Sequence, residues 1–172
     1  MHSATTYNIF DLIDRIADTV NKTLDEKQKE RYLPGILMLY SFIEKLLVLL
    51  VYVKVLWNKS DHTLHMDEVR LLKEFCNQQE FYPLIRLALA VNLIDVALFK
   101  KLEAIRIERN SIVHQFWLYQ HRENRLVLRK KLEKLAHVAN DLVGIFNELV
   151  KETGSDRSYE LFTIRPGRGI LI

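Results

Sequence analysis

Along most of this chain apolar residues recur every three or four positions, the rhythm of a helix with one buried face. Between residues 8 and 23 the apolar set is Ile9, Leu12, Ile13, Ile16, Ala17 and Val20. Asp11, Asp14, Arg15 and Asp18 fall between them, and Asn8 is placed to cap the first turn. A polar link at 25–30 follows. Pro34 suits the first turn of a second helix that runs to about Trp57. That helix is apolar nearly all round, so it is expected to be the most buried element. Residues 58–62 read as a loop and 67–78 as a short helix, and Pro83 opens another that reaches Ala90 or beyond. From about 94 to 116 a longer helix carries Phe99, Leu102, Ile105, Ile112 and Phe116 on one side, with Lys100, Lys101 and Arg106 elsewhere. The last long helix is expected over 125–151, with Leu128, Leu132, Leu135, Val138, Leu142, Ile145 and Leu149 at core spacing. In the tail, Pro166, Gly167 and Gly169 accompany the loss of helical period, and no strand pair is expected. The pattern predicts an all-α, up-and-down bundle of four to five main helices with short extra helices over residues 1–151, then an irregular tail at 152–172.

Composition narrows this picture. The 172 residues suit one domain with a sizeable core, and 49% hydrophobic content with five Gly and three Pro leaves few places to break a helix. Cys76 is the single cysteine, which excludes an internal disulfide and a cysteine-based zinc site and makes a reducing, cytoplasmic setting the expectation. No basic flank precedes an apolar core at the N-terminus, so a signal peptide is not expected. Residues 36–56 approach the length of a bilayer span, but Ser41, Glu44, Lys45 and Lys54 interrupt them. Ionisable groups are costly in lipid, which favours a buried central helix over a membrane segment.

Charge points to one region. Residues 1–99 carry net −2 and 138–172 net −1, whereas 100–137 hold 10 basic against 4 acidic side chains, net +6. A local basic field is the electrostatic footprint of a nucleic-acid partner, although a solvated helix face has the same composition. Within this segment the chain reads Glu108-Arg109-Asn110-Ser111-Ile112-Val113-His114. A guanidinium grips a phosphate with two donors, and an imidazole moves a proton near neutral pH. With 12 Arg and 6 His in the chain the spacing alone is unexceptional, so the setting carries the argument. At 100° per residue Arg106, Asn110 and His114 stack on one face, whereas Arg109 and His114 are about 140° apart and must converge by reach. Ile112, Val113 and Phe116 are expected to anchor the other side. A helix C-terminus favours positive charge at His114. The chemistry that fits is attack of a ribose 2′-OH on the adjacent phosphate, which needs a proton shuttle and charge stabilisation but no metal or other cofactor.

The segment Arg109-Asn110-Ser111-Ile112-Val113-His114 resembles the signature of HEPN domains, the "higher eukaryotes and prokaryotes nucleotide-binding" superfamily. These carry Arg, often a polar neighbour, and His four to six positions on, near the end of a long helix in an all-α bundle. The similarity follows element order over about 7–151 and is specific in sequence around 105–117. It implies a metal-independent endoribonuclease acting as a homodimer, of the kind found in toxins and phage defence. It also implies RNA or nucleotide as ligand, and a cognate antitoxin or nucleotidyltransferase as partner. Carried over, Arg109 and His114 match the catalytic pair and Asn110 the polar neighbour. Glu44, a carboxylate on an apolar helix that needs a counter-charge, matches the supporting acid, with Arg109 its obvious partner. In the subgroup controlled by a nucleotidyltransferase a Tyr stands two residues after the His; here that residue is Phe116, with Tyr119 further along.

Arg106, Arg125, Arg129 and Lys130, with Lys131 and Lys134, are candidates for holding RNA phosphates beside the site. Asp61, His62, His65 and Asp67 lack a second cluster to complete a metal site, so no metal is expected. Tyr7, Tyr32, Tyr40 and Tyr52 are spaced as core or interface residues. Arg165, Arg168 and the apolar end Ile170-Leu171-Ile172 offer a surface for a partner or a second copy. The alternative to an enzyme is a non-catalytic module of the same fold that binds nucleotide, RNA or protein. A further alternative is an Arg109–Glu44 pair that only fixes the bundle.

Overall fold

Two heptad-spaced stripes organise the bundle. In the computed structural model, which describes residues 32–58, 66–115, 125–152, 163–164 and 170–171, helix α1 (Tyr32–Asn58) buries Tyr32, Ile36, Leu39, Ile43, Leu46 and Leu50. Steps of four and three residues keep these side chains on one line along the helix. Helices α2 (Met66–Gln78), α3 (Phe81–Ala90) and α4 (Val96–His114) follow, and α5 (Arg125–Glu152) closes the bundle. Along α5 the same alternation places Leu128, Leu132, Leu135, Ala139, Leu142, Phe146 and Leu149 in the core. The most extensive helix–helix contact is between α1 and α5, with α2, α3 and α4 packed around α1. The fold is an all-α helical bundle.

The elements start where local chemistry allows. Pro34 is the third residue of α1 and Pro83 the third of α3, positions where a missing N–H leaves no helical hydrogen bond unmade. The link from α3 to α4 is tightly specified. Asn92 adopts a positive φ of 53°; its N–H donates to the Leu89 carbonyl at 3.1 Å, and the Leu93 N–H donates to the Ala88 carbonyl at 2.9 Å. This is a Schellman stop with Asn in the left-handed position, and Leu93 is buried beside it. Three residues later Asp95 Oδ1 accepts the Leu98 N–H at 2.7 Å and caps α4. The helix expected from about residue 94 therefore starts at Val96, while Ile94 is buried in the turn.

By length and composition Tyr32–Leu56 is, among the described residues, the one stretch able to cross a bilayer, and half of its most apolar window is buried inside the bundle. In the tail, strands β1 (Thr163–Ile164) and β2 (Ile170–Leu171) pair antiparallel, Thr163 opposite Leu171 and Ile164 opposite Ile170. This corrects the expectation of no strand pair. The apolar runs that hold these strands are two residues long in the described structure, too short to register as strands by periodicity. The helix expected at 8–23, the link at 25–30 and the loop residues 59–62 lie outside the described residues.

Cys76 is fully buried on α2, and that burial pushes its thiol above the ordinary thiol range. A protonated, inaccessible thiol is a poor nucleophile. Iodoacetamide is therefore expected to leave Cys76 unmodified in native buffer and to alkylate it in denaturant, read by intact mass. Native labelling at the rate of a free cysteine is the opposing result.

Candidate functional site

Helix α4 positions the candidate residues, and its burial pattern shows how it is turned. Leu98, Leu102, Ile105 and Ile112 are buried and define its core-facing stripe. At 100° per residue Arg109 falls within that stripe, between Ile105 and Ile112. A cation there needs a counter-charge, and Arg109 Nη2 meets Glu44 Oε2 of α1 at 3.4 Å, with the side chains 37% and 23% exposed. The pair lies at the edge of the core and keeps access to water. The expectation that Glu44 faces Arg109 holds in the geometry.

The preceding residue reaches the other long helix. Glu108 Oε1 lies 3.0 Å from Lys131 Nζ, and Glu108 Oε2 lies 3.7 Å from Lys134 Nζ, both on α5. Adjacent residues of α4 are thus ion-paired to α5 and to α1. The rotation of the helix produces this, because neighbours 100° apart face different sides of a bundle.

His114 is the last residue of α4 and is exposed, as is Asn110 one turn before it. The Gln115 N–H donates to the Ser111 carbonyl at 3.0 Å and ends the helix there. Among the described residues no hydrogen bond or ion pair joins Arg109 to Asn110 or His114. Asn110 and His114 share the solvent side, and Arg109 is turned toward the core. Val113, expected as an anchor, is 53% exposed. It lies 100° around from buried Ile112, off the stripe that meets α1. Phe116 lies outside the described residues.

The cations expected to hold phosphates are partly engaged. Arg106 Nε donates to Glu103 Oε1 at 3.2 Å, and its guanidinium lies 4.9 Å from the centre of the Tyr82 ring on α3. Arg129 Nε donates to Glu133 Oε1 at 2.9 Å. Lys130 is exposed. Arg125 opens α5, and its side chain lies outside the described residues, as do Asp61, His62, His65, Tyr7, Tyr119, Arg165 and Arg168. Tyr32 and Tyr40 are buried in the core, and Tyr52 packs against its edge. Among the described residues no three His, Cys, Asp or Glu side chains cluster as metal ligands.

Two cavities lie away from this region. One of about 380 Å³ opens at the N-terminal end of α4, where Lys101 Nζ and Asp141 Oδ2 meet at 2.8 Å. Another of about 260 Å³ lies between α1 and α2, beside Tyr52 and Cys76. Neither of these two is lined by Arg109 or His114. Sequence reasoning missed Tyr82 with its two arginines, and the lysine partners of Glu108. Tyr82 and Arg86 at i, i+4 on a helix were the available signal for the first. Comparison with known protein families, characterised proteins and solved structures finds no match to this chain.

Proposed function

We propose that this chain is a metal-independent endoribonuclease of the HEPN type that acts as a homodimer. The observation that carries the reading is the Arg109–Glu44 contact on α4, with Asn110 and His114 exposed on the next turn of the same helix. In this reading His114 takes the proton from a ribose 2′-OH or returns one to the departing 5′-oxygen. Arg109 neutralises the charge that develops on the phosphorane, and Glu44 holds the guanidinium in place. Asn110, four residues before His114, orients the imidazole. A second copy supports the site by supplying the groups that one chain leaves on opposite sides of α4. Ile107, 60% exposed and seven residues before His114 on the same face, is an apolar contact available to such a copy.

The test is cleavage of single-stranded RNA by purified protein in the presence of a chelator. Wild type is expected to cut, and His114→Ala to cut about 10²–10⁴-fold more slowly. Equal background from both proteins would sink the enzyme reading.

The separation of Arg109 from His114 favours a second reading, a non-catalytic module that binds RNA or nucleotide. It expects salt-sensitive RNA binding that survives His114→Ala and weakens in Arg109→Ala, with no cleavage by either.

A further inference from the structure

Tyr82 lies on α3 with its side chain 40% exposed, and two guanidiniums meet its ring, Arg106 at 4.9 Å from the centre and Arg86 at 5.7 Å. The two arginines differ in how they are held. Arg106 is partly buried and donates to Glu103, so it is a fixed floor for the ring. Arg86 is exposed, and among the described residues no carboxylate pairs with it; the ring is its one partner. An exposed cation–π contact is a weak restraint, weaker than the stacking of a base on an aromatic ring. Two cations against the single carboxylate of Glu103 leave the cluster positive. Its chemistry is an aromatic face beside an exchangeable phosphate ligand.

We propose that Tyr82, Arg86 and Arg106 form a subsite for one nucleotide of a single-stranded RNA, the tyrosine ring stacking the base and Arg86 leaving the ring to hold the phosphate. The subsite rests on the RNA reading above and gives the strand a direction. Arg106 and Asn110 are one turn apart on α4, and His114 is a further turn on, about 12 Å from Arg106 along the axis at 1.5 Å per residue. A strand stacked on Tyr82 runs past Asn110 to His114.

The probe is a fluorescein-labelled 2′-O-methyl oligouridylate, which lacks the attacking hydroxyl and stays intact with wild-type protein. Tyr82→Leu is expected to weaken its binding by about 5- to 100-fold, the range for one stacked base. Tyr82→Phe, which keeps the ring, is expected to bind as wild type. Arg86→Gln is expected to flatten the fall of log affinity with log salt by about 0.7, one phosphate contact on a single strand. An abasic oligomer is expected to bind wild type and Tyr82→Leu alike. Circular dichroism of each variant checks that it is folded. The proposal is overturned if wild type does not bind at low salt, or if folded Tyr82→Leu binds within about twofold of it. Tyr82-dependent binding without any cleavage ends the nuclease reading and leaves the subsite standing. Cleavage that needs His114 but is indifferent to Tyr82 does the reverse.

Discussion

Arg109→Ala is expected to lower RNA cleavage by about 10²–10³-fold, the cost of losing one preorganised donor to a developing oxyanion. The same change is expected to cost the fold only about 1 kcal/mol. The reason lies in the exposure of the pair: at 37% and 23%, both side chains keep part of their hydration, so the ion pair is screened and its removal leaves Glu44 able to draw on water. A fully buried partner would instead be stranded, at about 3–5 kcal/mol. Single-turnover cleavage and thermal unfolding of the same preparations separate the two quantities. Arg109→Lys sharpens the result, since it keeps the charge and loses the planar fork that suits a phosphate. It is expected to restore most of the stability and little of the rate. If Arg109→Ala lowers the melting temperature steeply while each folded molecule cuts as before, the pair is only a fastener between α4 and α1. The pairing of Glu108 with Lys131 and Lys134 shows that α4 already uses ion pairs in that way.

Ile105→Ala is the variant with the largest expected effect on stability. Ile105 is fully buried one turn before Arg109. Removing its outer carbons takes away both transfer free energy and packing partners, about 2–5 kcal/mol for such a deletion. Against a total of about 5–15 kcal/mol this is a large share. For a chain of this size it corresponds to a melting temperature lower by roughly 4–20 °C. Val96→Ala is the control: an aliphatic residue on the same helix, but 59% exposed, with an expected change within about 0.5 kcal/mol. Urea unfolding measures both. Comparable losses from the two variants would mean that α4 is rotated differently from the description above.

Much of the layout was readable from residue pattern. The long apolar run of α1, the core spacing along α4 and α5 and the early prolines of α1 and α3 are local signals, and the expected helices begin and end within about two residues of those described. The carboxylate of Glu44 on an apolar helix announced a need for a cation, and the structure supplies Arg109. Helix rotation decided the rest. Val113 has a core-type side chain, but exposure follows its angle from Ile112. Lys131 and Lys134 looked like ligands for phosphate, and the turn of α4 brings Glu108 to them. Arg106 read as a neighbour of Asn110 and His114 and a candidate for phosphate, and packing of α3 against α4 adds Tyr82 beside it.

What the sequence by itself determined is the set of helices and the roughly 140° that separates Arg109 from His114, because helical period, capping and breaking depend on residues within a few positions of each other. The tertiary structure decided which carboxylate meets which cation, that Arg109 faces the core while His114 faces solvent, and that Tyr82 gathers two arginines. Those outcomes depend on the axial register and rotation of one helix against another, and both are set by the summed packing of the α1 and α5 stripes with α4, over residues far apart in the chain.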